Sequence, residues 1–235
     1  MKNNFLRGFY IEWDSLSKDS FVRHVPALKG LDRLSFDKPI TLFSGENGSG
    51  KSTLLEAIAT EYGFNPEGGT VNFNFSTYDA SSDLDKSIIL TKGVRRARSG
   101  YFFRAESFFY VATKAREYGG GYTNLHEMSH GESFMSYFDY FSKEGLYLLD
   151  EPEAALSPQN QLNMYAKIVK MVNEGSQFII ATHSPILLGL PNAQIYNFTM
   201  DGVKETEYEK TDSYVITKSF LNKREMFLKE LFDEI

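Results

Sequence analysis

The stretch GENGSGKS, Gly45 to Ser52, decides the fold. It matches G-x-x-x-x-G-K-[ST] and stands between an apolar run, Thr41-Leu42-Phe43, introduced by Pro39, and the helix-forming run STLLEAIATEYGF. Strand, glycine loop and helix follow one another without a gap. Glycines let the backbone fold around an anion, so that successive N–H groups and the positive end of the helix converge on one point. Gly45, Glu46, Asn47, Gly48, Ser49 and Gly50, with Lys51, Ser52 and Thr53, are therefore the candidate phosphate-binding residues. Lys51 adds a point charge near a terminal phosphate, and the Ser52 hydroxyl is suited to ligating Mg²⁺. A bare surface turn would need neither the lysine nor the hydroxyl.

Composition sets the outer limits. A chain of 235 residues, 42% hydrophobic and 15% aromatic, can bury a substantial core and fits one large domain, residues 1–235, better than two small ones. It has no cysteine, which excludes a disulfide framework and any thiolate metal site and suits a reducing compartment. The N-terminus MKNNFLRGFYIEWDS lacks the apolar core of a signal peptide, and the runs FII and ILLGL are too short to span a bilayer. A soluble, cytoplasmic protein with no membrane segment of its own is expected. The formal charge of −6 argues against bulk binding to a polyanion, although a net figure can hide a local basic patch.

Along the chain, strands alternate with helices. VNFNFS and SIIL read as strands, AESFFYVATKAREY and ESFMSYFDYFSK as helices, and LYLLD and QFIIAT as buried strands around the helix PQNQLNMYAKIVKMVNEG. IYNFT and VKETEYE are strand-like, and SFLNKREMFLKELFDEI reads as one final amphipathic helix. This order implies an α/β fold, a mostly parallel sheet flanked by helices, with an inserted subdomain over about residues 65–144.

Two further motifs carry chemistry. LYLLDEPE, Leu146 to Glu153, ends a buried strand in Asp150-Glu151, and a charge pair at the tip of an apolar strand is costly unless it binds something. Asp150 is placed to hold Mg²⁺; Glu151 is the candidate base that orients and deprotonates water. ATHSP then follows the strand QFII, which would bring His183 to the same sheet edge, in reach of a γ-phosphate. LHEMSHGES, Leu125 to Ser133, has two readings. As HEMSH it matches H-E-x-x-H, with His126 and His130 on zinc and Glu127 as base. As SHGES it is an anion-binding turn opening a helix, with Ser129 and Gly131 aimed at a phosphate.

The succession GENGSGKST, SHGES, LYLLDEPE, EAALSP and ATHSP resembles the ATP-binding-cassette (ABC) class of P-loop ATPases, whose Walker A, signature, Walker B, D-loop and switch-histidine motifs occur in that order. PALKGLDRL, RAESFF, LHEMSHGESF, LDEPEAALSP and FIIATHSPILL make the whole chain similar to small stand-alone bacterial AAA family ATPases, near the chromosome-maintenance, recombination and repair ATPases. The resemblance implies ATP and Mg²⁺ as ligands and an ATP-dependent homodimer. The signature of one copy, Ser129 and Gly131, would cover the γ-phosphate held by the other, and Ala155 to Pro158 would run along the seam. It also settles LHEMSHGES for the signature: Gly131 directly follows His130, a triple glycine lies upstream, and no third zinc ligand is apparent. A transporter's nucleotide-binding subunit and a nucleotide-dependent binding module with negligible hydrolysis are the alternatives.

The chain departs from that class in two places. No glutamine precedes Gln159, where the class places one that senses Mg²⁺ and water; Glu106 is the nearest polar candidate. No single aromatic stands out to stack on adenine, with Tyr10, Trp13 and Phe21 as candidates. The basic segment KGVRRARSGYFFR, with Lys92, Arg95, Arg96, Arg98 and Arg104, could contact nucleic-acid phosphates, an unknown acidic protein partner or nucleotide, or be a solvated loop with locally paired arginines.

Overall fold

A computed structural model describes residues 4–71, 83–107 and 144–233, together with Met135, Phe138 and Phe141. Its centre is a six-stranded sheet in the order β5 (Ser99–Arg104), β6 (Gly145–Asp150), β7 (Gln177–Ala181), β3 (Ile40–Gly45), β8 (Ala193–Thr199) and β9 (Gly202–Thr206). The first five run parallel, and β9 returns antiparallel to β8. A smaller antiparallel sheet joins β2 (Arg33–Ser35), β1 (Leu6–Ile11) and β4 (Ile88–Lys92). Residues 83–107, inside the span expected as an insertion, thus contribute one strand to each sheet.

The central strands are apolar on both faces because both faces are covered, as parallel sheets require. Phe43, Leu146, Leu148, Ile179 and Ala181 point into one core with α1 (Lys51–Tyr62) and the small sheet. Leu42, Tyr147, Leu149, Phe178 and Ile180 point into the other. There they meet α2 (Pro158–Asn173) and α3 (Pro185–Leu188). Phe141 stacks on Tyr147 with ring centroids 4.6 Å apart. Ser157 caps α2 by accepting a hydrogen bond from the Asn160 N–H, with Pro158 in its first turn. The sheets are clamped by buried Gln177: its Nε2 donates to Leu6 O at 2.7 Å, and its Oε1 accepts from Leu6 N at 2.9 Å.

Three expectations from sequence change. The final helix is two, α4 (Asp212–Asn222) and α5 (Arg224–Asp233), broken at Lys223, whose extended φ of −134° interrupts the turn. VKETEYE is a strand only to Thr206 and then forms a 3-10 turn over Tyr208–Lys210. The run SGYFFR, expected as part of a basic segment, is the edge strand β5, because Tyr101, Phe102 and Phe103 are all buried. Ala105 to Ser107 form a turn, and the rest of AESFFYVATKAREY lies outside the described residues, as does VNFNFS beyond Val71. Met135 and Phe138 are helical, as ESFMSYFDYFSK predicts.

Candidate functional site: a phosphate loop facing two carboxylates

Strand pairing assembles the site. Phe43 pairs with Ala181, Ala181 with Asp150, and Asp150 with Arg104, so one row of the sheet runs from the phosphate loop to the edge strand. Everything just beyond this row leaves the carboxyl ends of parallel strands, where open α/β sheets bind ligands.

After β3 the chain turns through Gly45, Gly48 and Gly50, at φ of +138°, +75° and +99°. A Cβ on Gly45 would lie 2.3 Å from Phe198 O, so this turn tolerates no side chain there. Gly50 caps α1 in the left-handed region and sends the helix N-terminus back toward the loop. Glu46, Asn47 and Gly48 are exposed, and the buried Ser49 Oγ has no hydrogen-bond partner among the described residues. Lys51 is 3% exposed, and its Nζ donates to Gly45 O at 2.9 Å and Glu46 O at 2.8 Å. Burial lowers its pKa against the opposing pull of Glu151, Asp150 and Glu153. Thr53, one residue further along α1, is half-buried.

Ser52 and Asp150, expected to share a metal, do face each other: Ser52 Oγ donates to Asp150 Oδ1 at 2.8 Å. Burial raises the Asp150 pKa to about 6, although the Ser52 hydrogen bond and the Arg104 charge pull it down. Two hard oxygens side by side suit Mg²⁺, which takes one or two protein ligands beside substrate phosphates. No cluster of three or more His, Cys, Asp or Glu that could hold a metal occurs among the described residues.

Glu151 follows in the left-handed region, at φ 48° and ψ 51°, with its N–H bonded to Ala181 O at 2.9 Å. Its Oε1 lies 3.6 Å from His183 Nε2, beyond hydrogen-bond distance, and Nε2 is buried without a partner among the described residues. Burial lowers the His183 pKa, and the Lys51 charge adds to this. The neutral imidazole is thereby favoured. Glu153 holds this turn: its Oε1 accepts from Thr182 Oγ1 at 2.7 Å, His183 N at 2.6 Å and Ser184 N at 3.1 Å. Glu46, Asn47, Glu151, Glu153, Ala154 and His183 line an open cleft of about 610 Å³. Glu153 was not foreseen as a site residue, since its role depends on a turn 30 residues away.

Ser129, Gly131, His126, Glu127 and His130 lie outside the described residues. Glu106 is exposed and sits 4.0 Å from Arg104; Arg104 itself takes the strand position beside Asp150. Of the nucleobase candidates, Trp13 donates its indole N–H to Leu31 O and carries Arg23 over its ring, whereas Tyr10 and Phe21 are exposed. Phe21 opens a short 3-10 turn whose C-cap, Val25, packs against Gly50 of the loop. The basic segment is locally engaged: Arg95 and Arg98 lie 3.4 and 3.7 Å from Glu144, and Lys92 sits over the Tyr62 ring.

A protein-family model described as an AAA domain matches residues 21–235. The chain belongs to that family. In this AAA domain the glycine loop, the Asp150–Glu151 pair and His183 all lie at the carboxyl ends of neighbouring parallel strands. It is similar to the SMC head domain from Thermotoga maritima, at 15% identity over 86% of this chain and 99% of that one, with a TM-score of 0.47. It is also similar to CbiO1 from Clostridium perfringens, part of the ABC transporter complex CbiONQ, at 18% identity over 97% and 98% of the two chains and a TM-score of 0.47. No curated protein matches the chain. Among the described residues of this AAA domain, no helix is long and apolar enough to cross a membrane.

Proposed function

We propose that this AAA domain binds ATP with Mg²⁺ in the loop Gly45–Thr53, closes as a head-to-tail homodimer over two nucleotides, and reopens on hydrolysis, driving an attached protein or nucleic acid. The observation that carries the reading is the 2.8 Å contact of Ser52 with Asp150, whose chain neighbour Glu151 lines a cleft together with His183 and with Glu46 and Asn47 of the loop. Lysine, hydroxyl, carboxylate and a base for water are the components that in-line γ-phosphate cleavage uses, and a neutral imidazole beside them can donate to the same phosphate.

Ser52 and Asp150 would hold Mg²⁺, which would supply positive charge to offset that of the phosphates. Lys51 would turn from its two loop carbonyls to the γ-phosphate. Glu151, which lines the same cleft as Glu46 and Asn47 of the loop, would take a proton from the attacking water. The imidazole of His183, held neutral, can donate one N–H to the γ-phosphate and accept at the other nitrogen. Ser129 and Gly131 of a second copy would close the cleft with the N-terminus of a helix, so that ATP joins the two molecules and ADP does not. Phe21, exposed at the start of the turn whose C-cap Val25 packs against Gly50, would stack on the base.

Glu151→Gln should retain ATP and accumulate as a dimer on a sizing column, whereas Lys51→Ala should remain monomeric. An unchanged monomer in both would reject the reading. Phosphate release with and without DNA tests whether nucleic acid is the partner.

A further inference from the structure

The strand β5 ends in an arginine where the class resemblance leads one to expect a glutamine on the following loop. Three aromatic residues, Tyr101 to Phe103, bury β5 against the sheet and deliver Arg104 next to Asp150 at the sheet edge. Its side chain is only 21% exposed. A guanidinium keeps its charge at such depth and offers several donors in a rigid plane. Nη1 binds Glu56 Oε2 on α1 at 2.6 Å and Pro66 O at 3.1 Å, while Nε faces Asp150 Oδ2 at 3.9 Å. The other oxygen of Asp150 accepts the Ser52 hydroxyl. The main chain repeats the link, since Ala105 N–H donates to Asp150 O at 3.2 Å.

Asp150 is thus bracketed, one oxygen toward its co-ligand and one toward a fixed cation. A cation cannot ligate Mg²⁺, so Arg104 cannot replace a metal-sensing glutamine by doing what glutamine does. It can act only on the ligand. We propose that Arg104 is the positioning residue of the metal–phosphate site. Braced on Glu56, it keeps Asp150 Oδ2 turned to the sheet edge, so that Oδ1 and the Ser52 hydroxyl receive the metal already aligned. This rests on the Mg²⁺·ATP reading above. It also accounts for Glu56, an acidic residue in the middle of α1 that no motif explains: Glu56 fixes the plane of the guanidinium, and the pair ties the phosphate-loop helix to the Walker B strand.

Outer-shell partners of this kind are worth roughly 10–100-fold in metal affinity. The test uses the full chain, with Mn²⁺ binding followed by electron paramagnetic resonance beside a non-hydrolysable ATP analogue, and with a fluorescent ATP analogue titrated in EDTA. Arg104→Gln should weaken Mn²⁺ binding by about 10-fold or more while leaving metal-free nucleotide affinity within about two-fold. Arg104→Lys, which keeps the charge but not the planar fork, should fall between. Glu56→Gln should shift Mn²⁺ affinity in the same direction, and the double variant should be no weaker than Arg104→Gln, because both changes break one chain of contacts. Unchanged Mn²⁺ affinity in Arg104→Gln overturns the proposal. So does an equal loss of metal-free nucleotide binding, which would make Arg104 a structural staple. If the wild-type chain binds no nucleotide, the underlying reading fails instead, whatever Arg104 does.

Discussion

At Asp150 the fold places a carboxyl where water reaches it poorly, and burial pushes its pKa to about 6, above the ordinary value of 3.8. An acid with a raised folded pKa holds its proton more tightly in the folded chain. The stability it contributes is complete below pH 3.8 and is lost as the pH rises through about 6. A divalent cation needs the ionised form, so proton and metal compete for the same oxygens. Below about pH 6, the Mg²⁺ concentration needed for half-maximal binding of a fluorescent ATP analogue should therefore rise, approaching about ten-fold per pH unit. A flat Mg²⁺ requirement between pH 5 and pH 7 would show that Asp150 does not carry the metal. That Lys51, Ser52 and Asp150 would meet at one place was legible in the sequence, because each belongs to a motif whose chemistry constrains its neighbours. Arg104 was not: it sits within a basic run, and only the register of β5 against β6 turns it away from that run and into the site.

Among the elements, the two turns beyond β6 and β7 act as one unit. Glu153 Oε1 gathers three donors from Thr182, His183 and Ser184, and Ser184 Oγ in turn donates to Gln161 and caps α3. Hydrogen bonds to a charged acceptor contribute about 1.5–3 kcal/mol each, and losing the charge weakens all three together. Glu153→Gln should lower unfolding stability by about 2 kcal/mol in urea titration. It should also release His183, seen as faster hydrogen exchange of the His183 and Ser184 amides; no change in exchange would uncouple the turns. Elements with a strong period, such as α1 and the buried strands of the sheet centre, were readable from the sequence. Those with mixed signals were not. Gly8 lies at a register shift of β1 against β4, where a Cβ would meet Leu34 O at 2.3 Å, and the single apolar pattern after Ser219 conceals a helix break.

At the scale of the whole chain, two sheets share a core, and their alignment is a matter of a few buried polar contacts as well as apolar packing. Gln177 is 1% exposed and satisfies both backbone groups of Leu6 across a sequence separation of 171 residues. Gln177→Leu would leave a buried N–H and C=O without partners, at a cost of about 1–3 kcal/mol each. The expected outcome is a lower denaturation midpoint with the small sheet losing amide protection first; equal protection loss in both sheets would mean that the apolar core alone joins them. Such long-range pairings leave no local trace in the sequence, which is why the alternation of strands and helices was legible and the union of the two sheets was not.

The hold of Lys51 on the carbonyls of Gly45 and Glu46 bears on which anions the loop can admit. An ion that offers one or two contacts, such as chloride, gains too little to draw the ammonium away from two good acceptors. A row of linked phosphates meets several amides at once and supplies the ammonium with new oxygens as it leaves the old ones. Discrimination then depends on how many bonds form together and not on negative charge alone, and the lysine serves as a latch that only a polyphosphate can lift.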